Sequence, residues 1–297
     1  MILRIATRGS ALARWQAEHV ASLLAEADDD VDVELVIVDT SGDRQQDVPI
    51  WQMGGKGVFV KEVQAAVLDG RADIAVHSAK DLPSNTIDGL ALGAVPERGE
   101  VRDALVGSTL AGLPAGARVA TGSARRRAQL ADQRPDLTFA SLRGNIATRL
   151  SRASEHDAIV VAAVALERLG QSDAITELLP TNVMLPQVGQ GALAIECRDG
   201  DRERVELLHA IEHEPSRLAV DAERAFLAEL EGDCDLPAGA YARARSGGGV
   251  EVEGLIASLD GRIVLRHRAF GLDPVAAGSG VATYLLDRAG GSELASP

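Results

Sequence analysis

Two neighbouring residues, Lys80 and Asp81, place an amine and a carboxylate a few residues after an apolar stretch that ends at Val76. Side chains of these types can act as an acid–base pair, and a lysine can also form a Schiff base with a carbonyl substrate. The residue types alone favour a third interpretation, a salt bridge at the end of a strand. The sequence leaves all three open.

Arginines gather at three predicted turns, at Ser123 to Arg127, Arg143 to Arg149 and Arg8 to Ser10. Guanidinium groups beside the free N–H groups of a helix start bind carboxylates or phosphates. Residues 115–170 contain nine arginines and five acids, a local charge of +4, in a chain whose formal charge is −14. We therefore predict an anion-binding face. The alternative is that these arginines are solvated or paired with neighbouring acids.

The chain has three lysines, Lys56, Lys61 and Lys80, against 27 arginines, and all three fall within 25 residues. Lysine differs from arginine in carrying a compact ammonium on a flexible side chain, so a chain that otherwise uses arginine keeps lysine where that group is needed. The cluster therefore indicates a functional segment; the alternative is that the three lysines are grouped by chance. Residues 39–57 lack periodicity and contain the cluster Gly54 to Gly57, which predicts a mobile loop. The cluster is too short for either glycine-rich nucleotide-binding pattern, so nucleotide binding is not indicated.

Two cysteines, Cys197 and Cys234, exclude a disulfide scaffold and a metal site of the Cys-x-x-Cys type. Cys197 ends an apolar stretch and is typical of a core, whereas Cys234 follows Glu231 in a predicted loop that is open to modification. His209 and His213 have helical spacing but no third ligand, so we predict no metal site.

The elements that must hold these groups alternate between strand and helix. We predict strands at 3–6, 33–38, 72–76, 118–121, 137–142, 158–164 and 192–196, and helices at 11–25, 58–68, 124–131, 146–152, up to Arg168 and at 216–230. This alternation predicts parallel sheets, with ligands bound at the carboxyl ends of the strands. Strands at 250–257 and 262–270 and a helix at 274–288 then predict a small α+β domain.

Length and charge limit the class of protein. The 297 residues exceed what one core usually fills, and the net charge of −14 argues against a general nucleic-acid or anionic-membrane binder. No apolar run reaches the length of a signal sequence or membrane span, so we expect a cytoplasmic protein.

Six short motifs occur in order along the chain: Thr7 to Ser10, Gly54 to Glu62, Ala75 to Pro83, Ser141 to Asn145, Val188 to Ala192 and Glu231 to Cys234. In this order they resemble the porphobilinogen deaminase (hydroxymethylbilane synthase) family, and the resemblance runs from residue 3 to about 240. Enzymes of this family condense four porphobilinogen units head to tail with loss of ammonia. The product is hydroxymethylbilane, a linear tetrapyrrole of the haem pathway.

The resemblance implies a transferase with a dipyrromethane cofactor that is joined to Cys234 through a thioether and acts as a primer. It also implies that Asp81 is the catalytic carboxylate, in a buried position. The family's pattern assigns the remaining site residues as follows: Ser10, Lys80, Thr121, Ser123, Arg125 and Arg126 to the cofactor; Arg8, Arg143, Arg149 and Arg168 to substrate carboxylates; and Lys56, Phe59 and Lys61 to a mobile loop.

The implied fold has three domains of α/β type. The first two form a two-lobed, periplasmic-binding-protein-like architecture, with residues 1–96 and 192–211 in one lobe and 97–191 in the other. Residues 212–297 form a C-terminal α+β domain that carries the cofactor cysteine. The resemblance further implies a monomer whose partner is porphobilinogen, without nucleic acid, membrane or metal.

The sequence departs from the family's pattern at Asp233, where glycine is usual, and at Gly122, where serine is frequent. A rival interpretation from another class is a two-lobed module that binds a small polyanion without catalysis. That rival gives no role to Cys234.

Overall fold

Two five-stranded sheets and one three-stranded sheet organise the chain in this computed structural model, which describes residues 2–40, 60–230 and 237–295. In chain order the strands are β1 (Ile2–Arg8), β2 (Asp32–Val38), β3 (Ile74–Ser78), β4 (Leu90–Ala94), β5 (Asp103–Val106), β6 (Arg118–Ala120), β7 (Thr138–Ala140), β8 (Ala158–Ala162), β9 (Glu177–Leu179), β10 (Leu193–Arg198), β11 (Ala238–Ala244), β12 (Val250–Ala257) and β13 (Val264–Gly271). The helices are α1 (Ala11–Ala27), α2 (Lys61–Leu68), α3 (Ala124–Gln133), α4 (Ile146–Ser151), α5 (Ala163–Arg168), α6 (Arg202–His209), α7 (Glu214–Glu229), α8 (Pro274–Thr283) and α9 (Ser292–Ala295).

The first sheet has the order β2-β1-β3-β10-β4. Strands β1, β2 and β3 run parallel, as crossover helices between them require, while β10 is antiparallel to both of its neighbours. The chain therefore leaves this lobe, builds the second sheet and returns through β10. Side chains of α1 and of the strands bury one core between them, including Leu3, Ile5 and Leu24.

The second sheet has the order β7-β6-β8-β5-β9. Strand β6 is parallel to β7 and to β8, which confirms the three predicted strand–helix units in the middle of the chain. Strand β5 is antiparallel to β8 and β9. The polar turns that follow β6 and β7 thus reach the same edge of this sheet.

Helices α7 and α8 pack on the third sheet, which is antiparallel with the order β11-β12-β13. Phe226 fills the core of this unit, where a Cβ at Gly254 would lie 2.4 Å from its ring. The expected α/β fold, with two lobes and a small C-terminal α+β unit, is confirmed. Among the helices described, none has the length and apolar composition to cross a bilayer.

Candidate active site

A recess in the first lobe lies where β1 and β3 end and α1 begins. Ser10 caps α1, and its hydroxyl accepts a hydrogen bond from the Ala13 backbone N–H at 3.3 Å. Gln16 on the next turn donates to the Ser78 hydroxyl at 2.7 Å, which ties the helix to the end of β3. The recess is lined by Arg8, Ser10, Leu12, Ala13, Gln16, Val60, Val76, His77, Ser78 and Asp81.

Lys80 and Asp81 lie on a single 3-10 turn, Ala79–Asp81, that follows β3. The pKa of Lys80 is lowered to about 8, chiefly by burial; the carboxylates of Asp81 and Asp103 act to raise it, and the positive charges of Arg126 and Arg149 act to lower it. The salt bridge that the residue types favoured is wrong, because these two described side chains form no ion pair. Successive residues of a 3-10 turn point about 120° apart, which separates the two charges.

Asp81 itself is exposed, so the expectation of a buried carboxylate is wrong. The buried part of β3 ends at His77, and the turn then carries Asp81 beyond the edge of the sheet. Its negative charge still acts on Lys80 and on Arg149, which belongs to the second lobe. Asp81 therefore faces both lobes.

The second lobe contributes the paired arginines Arg125 and Arg126 at the start of α3. Ser123 caps this helix, and Thr121 accepts a hydrogen bond from the Ser123 backbone N–H at 3.2 Å. Both arginines are buried and bind the carboxylate of Asp103, each at 2.7 Å. The alternative that these two arginines are solvated is therefore excluded. They do pair with an acid, but that acid, Asp103, is not a neighbour in the sequence.

Arg143 and Arg149 flank the next turn, whose helix α4 is capped by Asn145. Arg149 is half-buried, and its Nε donates to the Gly144 carbonyl at 2.8 Å. Burial lowers the pKa of Arg149 to about 10, helped by the nearby charges of Arg126 and Arg143. A guanidinium with so lowered a pKa gains from any anion that replaces its lost hydration.

Arg168 joins the two lobes. Its Nη2 donates to the Gly191 carbonyl at 2.8 Å, and the same oxygen accepts the Gly99 backbone N–H at 3.2 Å. The guanidinium carbon lies 5.4 Å from the ring centre of Trp15 on α1, and Trp15 stacks on His19. Burial lowers the pKa of Arg168 to about 10.

The structure thus brings Lys80 and Asp81 of the first lobe against Arg126 and Arg149 of the second, with Arg143 beside them. Arg8 and Ser10 lie in the recess next to Asp81, whereas Arg168 lies at the junction between the lobes. The arrangement combines one exposed carboxylate with several cations that have lost hydration. Chemically, such a set of groups is suited to a ligand with several carboxylates and to stabilising one positive charge on it.

The three residues expected in a mobile loop have different outcomes. Lys56 and Phe59 lie outside the described residues. Lys61 is the first residue of α2, inside the helix predicted at 58–68, and its assignment to the mobile loop stays a prediction. An apolar pattern from Val60 onward continues into that helix and explains why its first residue is helical.

Sequence reasoning missed several buried polar residues around the cleft. His77 Nε2 lies 3.1 Å from the Glu196 carboxylate, which also accepts a hydrogen bond from Gln64 at 2.9 Å. Asp103 and Gln190 were missed as well. His77 and Glu196 stand inside otherwise apolar stretches, which is the signal that could have identified them, whereas Asp103 follows the charged Arg102 and carries no such signal.

Comparison with known proteins decides the family. Residues 3–206 match the family model described as "Porphobilinogen deaminase, dipyromethane cofactor binding domain", and residues 217–287 match "Porphobilinogen deaminase, C-terminal domain". The chain belongs to the porphobilinogen deaminase family. The resemblance found in the sequence motifs is confirmed.

Relatives within the porphobilinogen deaminase family are similar over nearly their whole length. The porphobilinogen deaminase of Nitratidesulfovibrio vulgaris (strain DSM 19637 / Miyazaki F) is 49% identical over 275 residues, which cover 91% of this chain and 87% of that protein. That of Brevibacillus brevis is 44% identical over 297 residues, covering 98% and 96%. Among solved structures, the methionine binding protein MetQ is 12% identical with a TM-score of 0.45, covering 73% of this chain and 92% of that one. The Bordetella pertussis BvgS periplasmic VFT2 domain is 17% identical with a TM-score of 0.43, covering 71% and 86%.

The second lobe fits the dipyrromethane cofactor of this family. Arg125 Nε is buried and has no hydrogen-bond partner among the residues described, although buried donors are normally satisfied. A cofactor carboxylate would supply that partner. The hydroxyls of Thr121 and Ser123, which accept backbone N–H groups, retain their own protons to donate.

Cys197 is fully buried in the core of the first lobe, as expected. Burial raises the pKa of its thiol, so the nucleophilic thiolate is disfavoured. The other cysteine, Cys234, lies outside the described residues.

Gly122 has a steric explanation in this chain. A Cβ at this position would lie 2.7 Å from the Leu142 carbonyl oxygen, which belongs to the adjoining turn. A side chain at position 122 would therefore force the two turns apart in this chain.

Proposed function

We propose that Asp81 and the arginines of both lobes form the active site in which this protein condenses porphobilinogen into hydroxymethylbilane. The observation that carries the proposal is the position of Asp81, an exposed carboxylate surrounded by cations from both lobes. A substrate with an acetate and a propionate needs several cations, and a substrate that loses ammonia develops one positive charge. The cleft supplies groups for both needs.

Asp81 stabilises the charge that develops on the substrate. As the bond between the methylene carbon and nitrogen breaks, ammonia takes the bonding electrons and the methylene carbon becomes cationic. A fixed carboxylate next to that carbon stabilises the transition state more than the ground state. The Asp81 carboxylate could also accept the proton that is released when the new carbon–carbon bond forms.

The cations orient the substrate through its carboxylates. Lys80, which we also assign to the cofactor, and Arg149 have pKa values of about 8 and about 10, both lowered by burial, so each gains when a carboxylate of the substrate replaces lost hydration. Arg8, Arg143 and Arg168 complete the proposed substrate-binding set. Guanidinium forks hold carboxylates through two parallel hydrogen bonds, which fixes their direction as well as their position.

Arg125, Arg126, Thr121, Ser123, Ser10 and Lys80 hold the cofactor, with Cys234 as its covalent attachment. When bound, the dipyrromethane supplies the primer that is extended. The unsatisfied Arg125 Nε supports this assignment for the arginine pair. Cys197 is unsuited to attachment because it is buried within a core.

We further propose the domain boundaries 1–96 with 192–211, 97–191 and 212–297, which the return of β10 to the first sheet supports. The acidic net charge of −14 supports a protein that binds neither nucleic acid nor anionic membranes. We also propose a monomer in the cytoplasm, in line with the family.

Substitution of Asp81 tests the proposal. Asp81→Asn keeps the size but removes the charge, so we expect kcat for porphobilinogen to fall roughly 10²-fold or more. Asp81→Glu keeps the charge in a displaced position and should retain more activity. Asp88→Asn removes an equally exposed carboxylate from the same loop and serves as the control.

Turnover is measured after intact-mass analysis has shown that each variant carries the primer. Near-normal kcat in primed Asp81→Asn would remove Asp81 from the chemistry. A wild-type protein that forms no hydroxymethylbilane from porphobilinogen would overturn the proposed function as a whole.

A further inference from the structure

Asp103, the first residue of β5, is completely buried and accepts hydrogen bonds from three side chains. Its Oδ2 accepts from Arg125 Nη2 at 2.7 Å. Its Oδ1 accepts from Arg126 Nε at 3.0 Å, Arg126 Nη2 at 2.7 Å and Gln190 Nε2 at 2.9 Å. The two guanidinium groups hold the pKa of this carboxyl well below its ordinary range even though burial acts to raise it.

The arginine pair is held on two sides. Arg126 Nη1 donates to the Val160 carbonyl at 3.1 Å, and Arg125 Nη1 donates to the Leu185 carbonyl. Asp103 supplies one negative charge to two guanidinium groups, so the pair keeps a net positive charge inside the protein. Because these hydrogen bonds fix the rotamers of both arginines, the pair presents its remaining N–H groups in one orientation, including the unsatisfied Arg125 Nε.

Asp103 also reaches the connection between the lobes through Gln190. Gln190 Nε2 donates to both Asp103 and the Val101 carbonyl, the latter at 2.7 Å, while the Gln190 backbone carbonyl accepts Arg98 Nε at 2.8 Å. Arg98 in turn makes two hydrogen bonds to the buried Glu223, at 2.6 and 3.0 Å. Glu223 lies on α7, the helix that ends shortly before the segment containing Cys234.

We propose that Asp103 is a positioning residue that sets Arg125 and Arg126 for the cofactor carboxylates and links their geometry to the lobe junction and α7. It touches neither substrate nor cofactor and acts through the two arginines. This inference rests on the proposed function, because it takes the arginine pair as the cofactor-binding pair. Its consequence is that Asp103 governs the assembly of the primer on the protein.

The test measures primer content, with Asp103→Asn, Asp103→Glu and a matched control. Asp136→Asn is the control because Asp136 makes a comparable pair with Arg134 at 2.8 Å but lies at the surface, away from the cleft. Each protein is purified, its folded state is checked by circular dichroism and thermal unfolding, and its intact mass gives the primed fraction. The unprimed part is then incubated with porphobilinogen, and the rate of mass gain is followed.

We expect folded Asp103→Asn to acquire the primer roughly tenfold or more slowly than wild type, since small misplacements of binding groups cost factors of this size. Asp103→Glu keeps the charge but lengthens the side chain by one methylene, so we expect intermediate priming. Asp136→Asn should prime at the wild-type rate. A purely structural role would lower the melting temperature and leave priming of the folded molecules unchanged.

Folded Asp103→Asn that primes like wild type would overturn the inference. If Asp103→Asn does not fold, Asp103→Glu decides, and priming at the wild-type rate in folded Asp103→Glu would equally overturn it. A wild-type protein that carries no added pyrrole mass would instead refute the cofactor assignment in the proposed function. The two failures are therefore distinguishable.

Discussion

Lys80 links the charge of the cleft to pH in a way that can be measured. Its pKa is lowered from 10.5 to about 8, first by burial and then by the positive charges of Arg126 and Arg149. The protonated form is the one that binds a carboxylate. The KM for porphobilinogen should therefore be nearly constant below pH 8 and rise above it.

The size of the rise follows from the titration of one group. One pH unit above its pKa, about one tenth of the free enzyme keeps Lys80 protonated, so KM at about pH 9 should approach tenfold its low-pH value. Substrate binding thus weakens as pH rises, whereas the stability of the folded protein should increase. Between the folded pKa of about 8 and the unfolded value of 10.5, the unfolded chain binds more protons at Lys80 than the native protein does. The free energy of unfolding therefore increases as pH rises through this window, which stabilises the folded protein.

The assay is KM against pH for wild type, Lys80→Arg and Lys80→Met. Arginine stays protonated across the range, so Lys80→Arg should lose the rise whatever its absolute KM. Lys80→Met should have a high KM without this pH dependence. Titration of the substrate's own amine would affect all three proteins alike, and the comparison removes it.

The reasoning fails if Lys80→Met keeps the wild-type rise above pH 8, because another group would then be responsible. It also fails if wild type shows no rise. Lys80 should form no Schiff base with the substrate, because porphobilinogen carries no aldehyde or ketone carbonyl with which an amine could condense.

Two further predictions concern covalent attachment and stability. The intact mass should exceed the sequence mass by two linked pyrroles, and Cys234→Ser should abolish the excess while Cys197→Ser leaves it; an unmodified wild type that is active would contradict the covalent primer. Glu223→Gln leaves Arg98 buried with a weakened partner and should cost about 3–5 kcal/mol in urea unfolding. The exposed pair of Glu155 with Arg152, 3.3 Å apart, provides the control, and Glu155→Gln should cost about 1 kcal/mol or less. Equal losses in the two glutamine variants would refute this account of Glu223.

The sequence predicted those elements that have a strong period or cap. Helices α1, α3 and α4 are capped by Ser10, Ser123 and Asn145 as predicted, because each capping side chain accepts a backbone N–H. The predicted strand at 158–164 ends early, since Ala163 already begins α5. An apolar run does not distinguish a buried strand from the buried helix that follows it.

Other elements were missed for physical reasons. Strand β4 (Leu90–Ala94) contains a glycine, and β9 (Glu177–Leu179) has three residues, so neither shows a measurable alternation. Helix α6 (Arg202–His209) buries Leu208 and otherwise shows mostly polar residues. Strand β11 (Ala238–Ala244) consists largely of alanine and glycine, which carry little strand preference.

The sequence predicted which side chains belong to the candidate site but not which of them pair with one another. The clustering of arginine at helix starts identified Arg125 and Arg126, yet their counter-ion Asp103 lies 22 and 23 residues away. The antiparallel strand β5 brings it back beside them. Such pairings depend on the order of strands in a sheet, which residue spacing does not contain. The exposure of Asp81 likewise depends on where one 3-10 turn leaves the sheet.

The contact between Arg168 and Trp15 has an optical consequence. The indole of Trp15 on α1 lies 5.4 Å from the guanidinium carbon of Arg168, which is the last residue of α5 in the other lobe. Indole emission responds to a nearby charge, so the emission wavelength and intensity of Trp15 depend on how far α1 lies from the Arg168 guanidinium on α5. A rotation of the lobes that changes the separation of α1 from α5 therefore changes the emission of Trp15, so this residue can report the movement without an added label.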